Sequence, residues 1–547
     1  MDTDELKSLH TRAHFTERLW QSVPLLLLFL VASLVLIPLA VVLSSFVQSE
    51  PEVWAHLRQY VLPSVLWNTG GLLLGVGLGV LLLGVPLAWL TAVYEFPLRR
   101  WLTWGLMLPL AIPAYVFAFI AVGMLEYTSP LQTWLRGVGF EQGLPSVRNL
   151  SGAVVILSFA FYPYVYLLAR SAFLSQGQRL LEAGQMLGRT PLQAFGSIAL
   201  PMARPWIVGG LLLALMETLA DFGAVSVFNV DTLTTTIYKS WFALFNLNAA
   251  AQLAGLLAIG VLGLLWLEQR ARAGRQYSVG ISRVQRKRLT GWQAWAATGG
   301  CLLVFTLAFV IPFAQLLWWS ASVWQVDLNA RYWGFASRSL LIAASAALLV
   351  TLFGLLLAGV RRQYPNRSVG LLISASTVGY AIPGAVLAVG VFIPLAWLDG
   401  QIVSLLRDWG FEGRQFLVGS VWVMLLALAI RFLAVAFQPI DSQMQRIRRS
   451  QEEAARLLGA SQGEVVRRVH LPLLKTGLLT ALLISFVEVM KEMPITLMTR
   501  SYGWDTLAVR VFEMTSEGMW ERAALPSLLI VLVGLLPVVL LIRQTER

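Results

Sequence analysis

The chain has 547 residues, 57% of them hydrophobic and 13% charged, with a mean hydropathy of +0.70. Soluble chains carry about a quarter of their residues as charges, so a water-facing shell around one buried core is excluded and a polytopic membrane protein is expected. The formal charge of +12 is therefore to be tested first as a topology signal, ahead of nucleic-acid binding.

Runs of about 20 apolar residues suffice to cross the hydrocarbon layer as a helix. Twelve can be marked off, near 22–47, 65–93, 101–127, 150–169, 206–228 and 248–267, then 294–320, 339–360, 368–397, 415–437, 476–497 and 523–542. The first is too long for the apolar region of a signal peptide and is read as a span. In the second, Gly71, Gly75 and Gly79 form the small-xxx-small stripe that lets two helix backbones approach closely.

With the N-terminus placed in the cytoplasm, 28 of the 41 Lys and Arg fall in cytoplasmic segments and 11 on the opposite side, while Arg431 and Lys491 lie within spans. That asymmetry orients the chain with both termini cytoplasmic. It also accounts for the basic excess without a nucleic-acid partner.

Several chemistries are absent. The single cysteine, Cys301, permits neither an intramolecular disulfide nor a Cys metal cluster, and His10 and His14 lack the Glu of a zincin pair. None of the five lysines follows a glycine, so the phosphate-cradling G-x-x-x-x-G-K-[ST] loop is missing. No cofactor is expected in this chain, and any ATP with its Mg²⁺ must sit on another one.

The second half restates the first. Ala111-Ile112-Pro113 recurs as Ala381-Ile382-Pro383, and Asp231-Thr232-Leu233 as Asp505-Thr506-Leu507. Glu182-Ala183-Gly184, Gly188 and Pro201 recur as Glu453-Ala454-Ala455, Gly459 and Pro472 at an offset of 271. A nearly constant offset, with six spans in each half, predicts an all-α protein of two parallel, pseudo-symmetric six-helix domains. Their expected limits are 1–268 and 294–547, joined by a basic linker at 269–293 that includes Arg270, Arg272, Arg275, Arg283, Arg286, Lys287 and Arg288. Transport pathways commonly lie between such halves, although channels and membrane enzymes can be duplicated too.

The loops near 176–205 and 447–475 both read Glu-Ala-(Gly/Ala)-x-x-x-Gly, then, further on, (Ile/Val)-x-Leu-Pro. Helical segments on either side of a turn-permitting glycine, with a proline suited to the first turn of the next span, predict a helical elbow. This pattern resembles the EAA motif of permease subunits of binding-protein-dependent ABC importers. The resemblance implies a fold like that of the type I importers and a seat for each elbow in a groove of a cytoplasmic ATPase, of which two copies are expected. By position, Glu182, Ala183, Gly188 and Pro201, with Glu453, Ala454, Gly459 and Pro472, would form the two docking elements. The first copy departs from the pattern at Gly184, where alanine is usual, a change that loosens a helix by roughly 1 kcal/mol.

Four carboxylates within the spans form a second pattern. Glu217 and Asp221 recur as Glu488 and Glu492, again at an offset of 271, and a spacing of four puts each pair on one helix face. One such charge at the bilayer centre costs about 2.5–3.5 kcal/mol, so all four should face protein, water or counter-ions. They are candidates for lining a cation path through oxygen ligands. The alternative is internal neutralisation, for which Lys491 stands ready beside the second pair.

Two fused permease domains, together with Glu217 to Phe228, Thr235 to Trp241 and Trp504 to Arg510, resemble the ferric iron ABC permeases. The resemblance implies a bacterial inner-membrane permease fed by a periplasmic binding protein, working by alternating access and performing no catalysis itself. Thiamine, phosphonate and polyamine permeases share the architecture. From a different class, an ion-coupled secondary transporter would also use buried carboxylates, but would have no need of two elbows.

Overall fold

The computed structural model describes residues 3–47, 51–139, 141–186, 188, 190–272, 286–410 and 415–545. Linker residues 273–285 lie outside this range, and Glu182 and Ala183 are described by backbone alone. Among the described residues twelve helices are long and apolar enough to cross a membrane, from Val23–Val47 to Trp520–Pro537, the number expected from the sequence. Helices suit this environment because each segment satisfies its own N–H and C=O groups, which hydrocarbon cannot do. The strand pairing among the described residues is two residues long, Tyr94–Glu95 beside Lys287–Arg288.

Two expected spans, 101–127 and 368–397, are not continuous helices. In each a short helix runs into a 3-10 turn, Leu108–Ala111 or Val378–Ala381, and a new helix starts at Ala114 or Gly384. The cause is the repeated Ile-Pro. Proline has no N–H to give and pushes the residue before it out of the α region, and Ile112 and Ile382 are accordingly extended, with ψ of 117° and 128°.

The helices form two compact units. One comprises Met1–Ser44, Arg338–Ile495 and Thr499–Trp504; the other comprises Ser45–Ser337, Thr496–Met498 and Asp505–Arg547. The sequence repeat and the packing therefore divide the chain differently, because the first span is grouped with helices of the second half and the last span with helices of the first. In the unit holding the first span, a Cβ on Gly390 would lie 2.6 Å from the Pro38 carbonyl oxygen. In the other, a Cβ on Gly534 would lie 2.5 Å from that of Ala111. Glycine is what permits both approaches.

The glycine stripe of the second span packs as its spacing predicts. Gly71, Gly75 and Gly79 face Leu150, Val154 and Ser158 on the Leu150–Met186 helix, and a Cβ on Gly75 would stand 2.7 Å from Val154 Cγ2. On the same span Leu74, Leu78 and Leu82 are exposed, as a lipid-facing stripe should be.

Candidate functional site

The second elbow is built from local signals. Arg449–Leu457 is helical, Leu458 closes it, and Gly459 turns the chain at φ +84°. Gly459 N donates to Arg456 O at 2.9 Å and Ala460 N to Ala455 O at 3.0 Å, which satisfies carbonyls that a helix end leaves unpaired. Ser461 and Glu464 then form a capping box: Ser461 N donates to Glu464 Oε2 at 3.0 Å and Glu464 N to Ser461 Oγ at 3.4 Å. Glu453 and Ala454 lie on the exposed surface, and Leu457 and Leu458 are each 89% exposed.

The first elbow follows the same plan. Gly188 turns the chain at φ +78°. Thr190 N donates to Gln193 Oε1 at 3.0 Å and Gln193 N to Thr190 Oγ1 at 3.3 Å, and the Pro191–Ala194 helix begins inside that box. The approach differs, since Leu150–Met186 runs unbroken for 37 residues through Glu182. In the second half the Val421–Met444 helix stops before the elbow helix starts.

Pro201 and Pro472 stand in the first turn of the Leu200–Ala220 and Leu471–Lys491 helices, as the sequence suggests. What the sequence did not show is that each helix runs on directly from a π turn, Phe195–Ala199 or Val466–His470, where Leu200 N reaches Phe195 O and Leu471 N reaches Val466 O. Two further π turns, Leu57–Val61 and Thr306–Val310, also end two residues before a proline, Pro63 and Pro312. A proline inside a helix lacks the N–H for the carbonyl four residues back and its ring collides with that carbonyl. The wider turn takes up the misfit.

Sequence reading missed the cluster that holds the second elbow. Arg362 Nε donates to Glu452 Oε1 at 2.9 Å, Arg362 Nη2 to the Ile447 carbonyl at 2.8 Å, and His470 Nε2 lies 3.0 Å from the same Glu452 oxygen. One residue before Arg362, Arg361 pairs with Asp441 at 2.7 Å, and Gln445 donates to that carboxylate. The available signal was a lone His and an Arg pair closing a span. At the offset of 271, Glu452 falls on Leu181, His470 on Ala199 and Asp441 on Arg170, so these acidic and imidazole groups are not repeated in the first elbow.

The four carboxylates do not form two helix-face pairs. The Leu200–Ala220 helix ends before Asp221 and the Leu471–Lys491 helix before Glu492, where the chain is extended with ψ of 130° and 121°. Both acids instead serve the short helix that follows. Asp221 Oδ1 accepts from Val225 N and Glu492 Oε1 from Ile495 N, each at 3.0 Å, as a carboxylate at a helix N-terminus does.

The second pair carries counter-ions, as the neutralisation reading anticipated. Glu488 binds Lys491 Nζ at 2.7 Å, while the partner of Glu492 is Arg431 rather than Lys491, at 3.4 Å. A Cβ on Gly384 would stand 2.7 Å from both Arg431 Nη1 and Glu492 Oε1, which explains a glycine at the start of that helix. Glu217 is half-buried one turn before Asp221. Among the described residues no group of three or more His, Cys, Asp and Glu could hold a metal ion.

A family model described as "Binding-protein-dependent transport system inner membrane component" matches residues 84–267 and 350–546. The chain is 25% identical over 485 residues to an Fe(3+)-transport system permease protein of Haemophilus influenzae, covering 87% of this chain and 89% of that one. A ferric transport system permease protein of Actinobacillus pleuropneumoniae is 23% identical over 407 residues, 70% of this chain and 57% of its own. A Salmonella typhimurium protein named for 2-aminoethylphosphonate transport is 27% identical over 259 residues, 45% of this chain and 92% of its own.

Proposed function

The chain belongs to the family of inner membrane components of binding-protein-dependent transport systems, and from that membership we propose that it is the permease of an ATP-driven importer of ferric iron. The observation that carries the substrate is the likeness to an Fe(3+)-transport permease along 87% of this chain. A periplasmic binding protein delivers the ion, two copies of a cytoplasmic ATPase bind ATP and Mg²⁺, and their closure drives alternating access of two domains, 1–268 and 294–547. Both termini and the basic linker at 269–293 face the cytoplasm.

In this reading the elbows are the seats of the ATPase. Glu182, Ala183, Gly188 and Pro201 belong to one, and Glu453, Ala454, Gly459 and Pro472 to the other. The exposed Leu457 and Leu458 beside Gly459 support a partner there, since adjoining exposed apolar side chains rimmed by polar ones are a mark of interaction sites. Glu217 and Asp221 line the ion path. Glu488 and Glu492 are weaker candidates for it, because Lys491 and Arg431 already neutralise them.

That neutralisation, with the phosphonate-named relative, favours one second reading, a substrate bearing negative charge. Vesicles holding the chain, its ATPase and its binding protein decide the matter when offered labelled ferric ion, thiamine and a phosphonate. Ferric uptake that requires ATP is expected. Phosphonate uptake alone would replace iron, and uptake without an ATPase would point to a secondary transporter.

A further inference from the structure

The unit that carries the second elbow also contains a basic cavity that the coupling reading does not use. It consists of two adjoining clefts of about 390 and 400 Å³ that share Arg361 and Gly370. Arg362 and Arg449 line the first, and Arg367, Leu371, Thr377 and Phe437 the second. We propose that this double cleft binds an anionic phospholipid, with its phosphate among the arginines and an acyl chain in the second cleft.

The charge balance leaves room for an anion. Asp441 offsets Arg361, and Glu452 offsets Arg362. Arg367 and Arg449 are exposed and have no carboxylate partner among the described residues, so two positive charges remain at the mouth. Guanidinium forks match phosphate oxygens in geometry, and basic pockets between spans on the cytoplasmic side suit lipid head groups.

Depth favours a lipid over a soluble anion or a protein segment. The second cleft runs from Arg367 to Thr377, the whole Arg367–Thr377 helix, which at 1.5 Å per residue is about 15 Å. That helix packs on the Thr3–Ser44 and Val421–Met444 helices, both of which contain candidate membrane spans, so a cleft along it leads from the arginines toward apolar surface that a lipid chain can reach. Leu371, 65% exposed on the cleft, offers an apolar wall where a free phosphate would have no use for one. The choice of the inner leaflet rests on the cytoplasmic placement of the elbows proposed above. Lipid binding itself requires neither ATP nor transport, so its failure and the failure of the importer reading are separable.

The test uses the full-length chain in dodecyl maltoside, titrated with phosphatidylglycerol or phosphatidylcholine, with bound lipid read by native mass spectrometry. Phosphatidylglycerol should bind at least tenfold more tightly. Arg367→Ala with Arg449→Ala should weaken it about thirtyfold, or about fivefold per arginine. Arg100→Ala, an exposed arginine in the other unit, should change it less than twofold. Arg367→Lys with Arg449→Lys keeps both charges but not the guanidinium forks and should bind more tightly than the alanine pair and less tightly than the unaltered chain, which separates charge loss from misfolding. Equal retention by the alanine pair overturns the proposal. So does displacement of the lipid by millimolar inorganic phosphate, which would mark a free-anion site, or loss of ATPase co-purification with lipid binding unchanged, which would mark a protein-docking surface.

Discussion

His470 Nε2 lies 3.0 Å from Glu452 Oε1, the same oxygen that accepts from Arg362 Nε at 2.9 Å. Three chain segments, the end of one span, the elbow helix and the π turn leading into the next span, thus meet on one carboxylate. The neighbouring Glu453 points outward. Two adjacent glutamates in the motif therefore have different surroundings, one holding the elbow to its own unit and the other standing on the exposed surface.

Removing Glu452 separates those roles. The Arg362 and Glu452 side chains are 16% and 14% exposed. Breaking a fully buried pair costs about 3–5 kcal/mol and an exposed one about 0–1, so Glu452→Ala should destabilise the chain by about 2–3 kcal/mol. Glu453→Ala should stay within about 0.5 kcal/mol and instead lower ATP-driven uptake. Thermal unfolding in detergent and uptake by vesicles read the two effects, and equal destabilisation by both substitutions would sink the distinction.

Gly459 and Gly188 test the turn itself. Neither would bring a Cβ within 4 Å of another group, so the penalty for a side chain is conformational, from φ of +84° and +78°. Alanine should cost about 1–2 kcal/mol at either position, with Gly459→Asn milder because asparagine tolerates that region. Gly459→Val should redirect the elbow and uncouple ATP hydrolysis from uptake. Coupled transport at the wild-type ratio by the valine variant would remove the glycine from the coupling path.

Asp221 and Glu492 distinguish capping from ion binding. Asparagine keeps an acceptor for Val225 N but loses the charge, so Asp221→Asn should cost at most about 1 kcal/mol of stability. If the carboxylate also meets the cation, ferric uptake should fall at least tenfold; wild-type uptake would leave Asp221 a cap alone. Glu492→Gln also keeps its cap to Ile495, but strands Arg431 in the protein interior, where an unpaired charge costs about 3–5 kcal/mol. A large stability loss for Glu492→Gln beside a small one for Asp221→Asn is the expected asymmetry.

The sequence made the broad plan legible because hydropathy and charge act over whole segments: twelve spans, the duplication and the two elbows all have extended signatures. The Arg362, Glu452 and His470 cluster had none, since its members are 90 and 18 residues apart and a charge beside a span reads equally well as a topology signal. The acid pairs misled for a local reason. A spacing of four implies one helix face only while the helix continues, and Asp221 and Glu492 stand where the backbone leaves it. The exchange of the first and last spans between the compact units is a matter of tertiary packing, to which periodicity is blind.

Pro201 and Pro472 make the geometry of the elbows itself testable. Each π turn exists because the proline two residues on cannot serve the carbonyl four residues back, which in the second elbow is Arg468 O. Pro472→Ala supplies that N–H and removes the ring, so the turn can relax to an α-helix with one residue fewer in its hydrogen-bonded loop. One residue is about 100° of helix rotation, enough to turn the elbow's outward face, with Glu453 and Leu457, away from its present direction relative to the span. Stability should change by no more than about 1 kcal/mol, since proline's helix penalty and the strain of the wider turn are lost together. ATP-driven uptake should fall at least tenfold while the span stays helical by circular dichroism. The same substitution at Pro63 or Pro312, whose π turns lie outside the elbows, should leave coupling intact, and a loss of similar size there would show that the π turns matter for packing rather than for aiming the elbow.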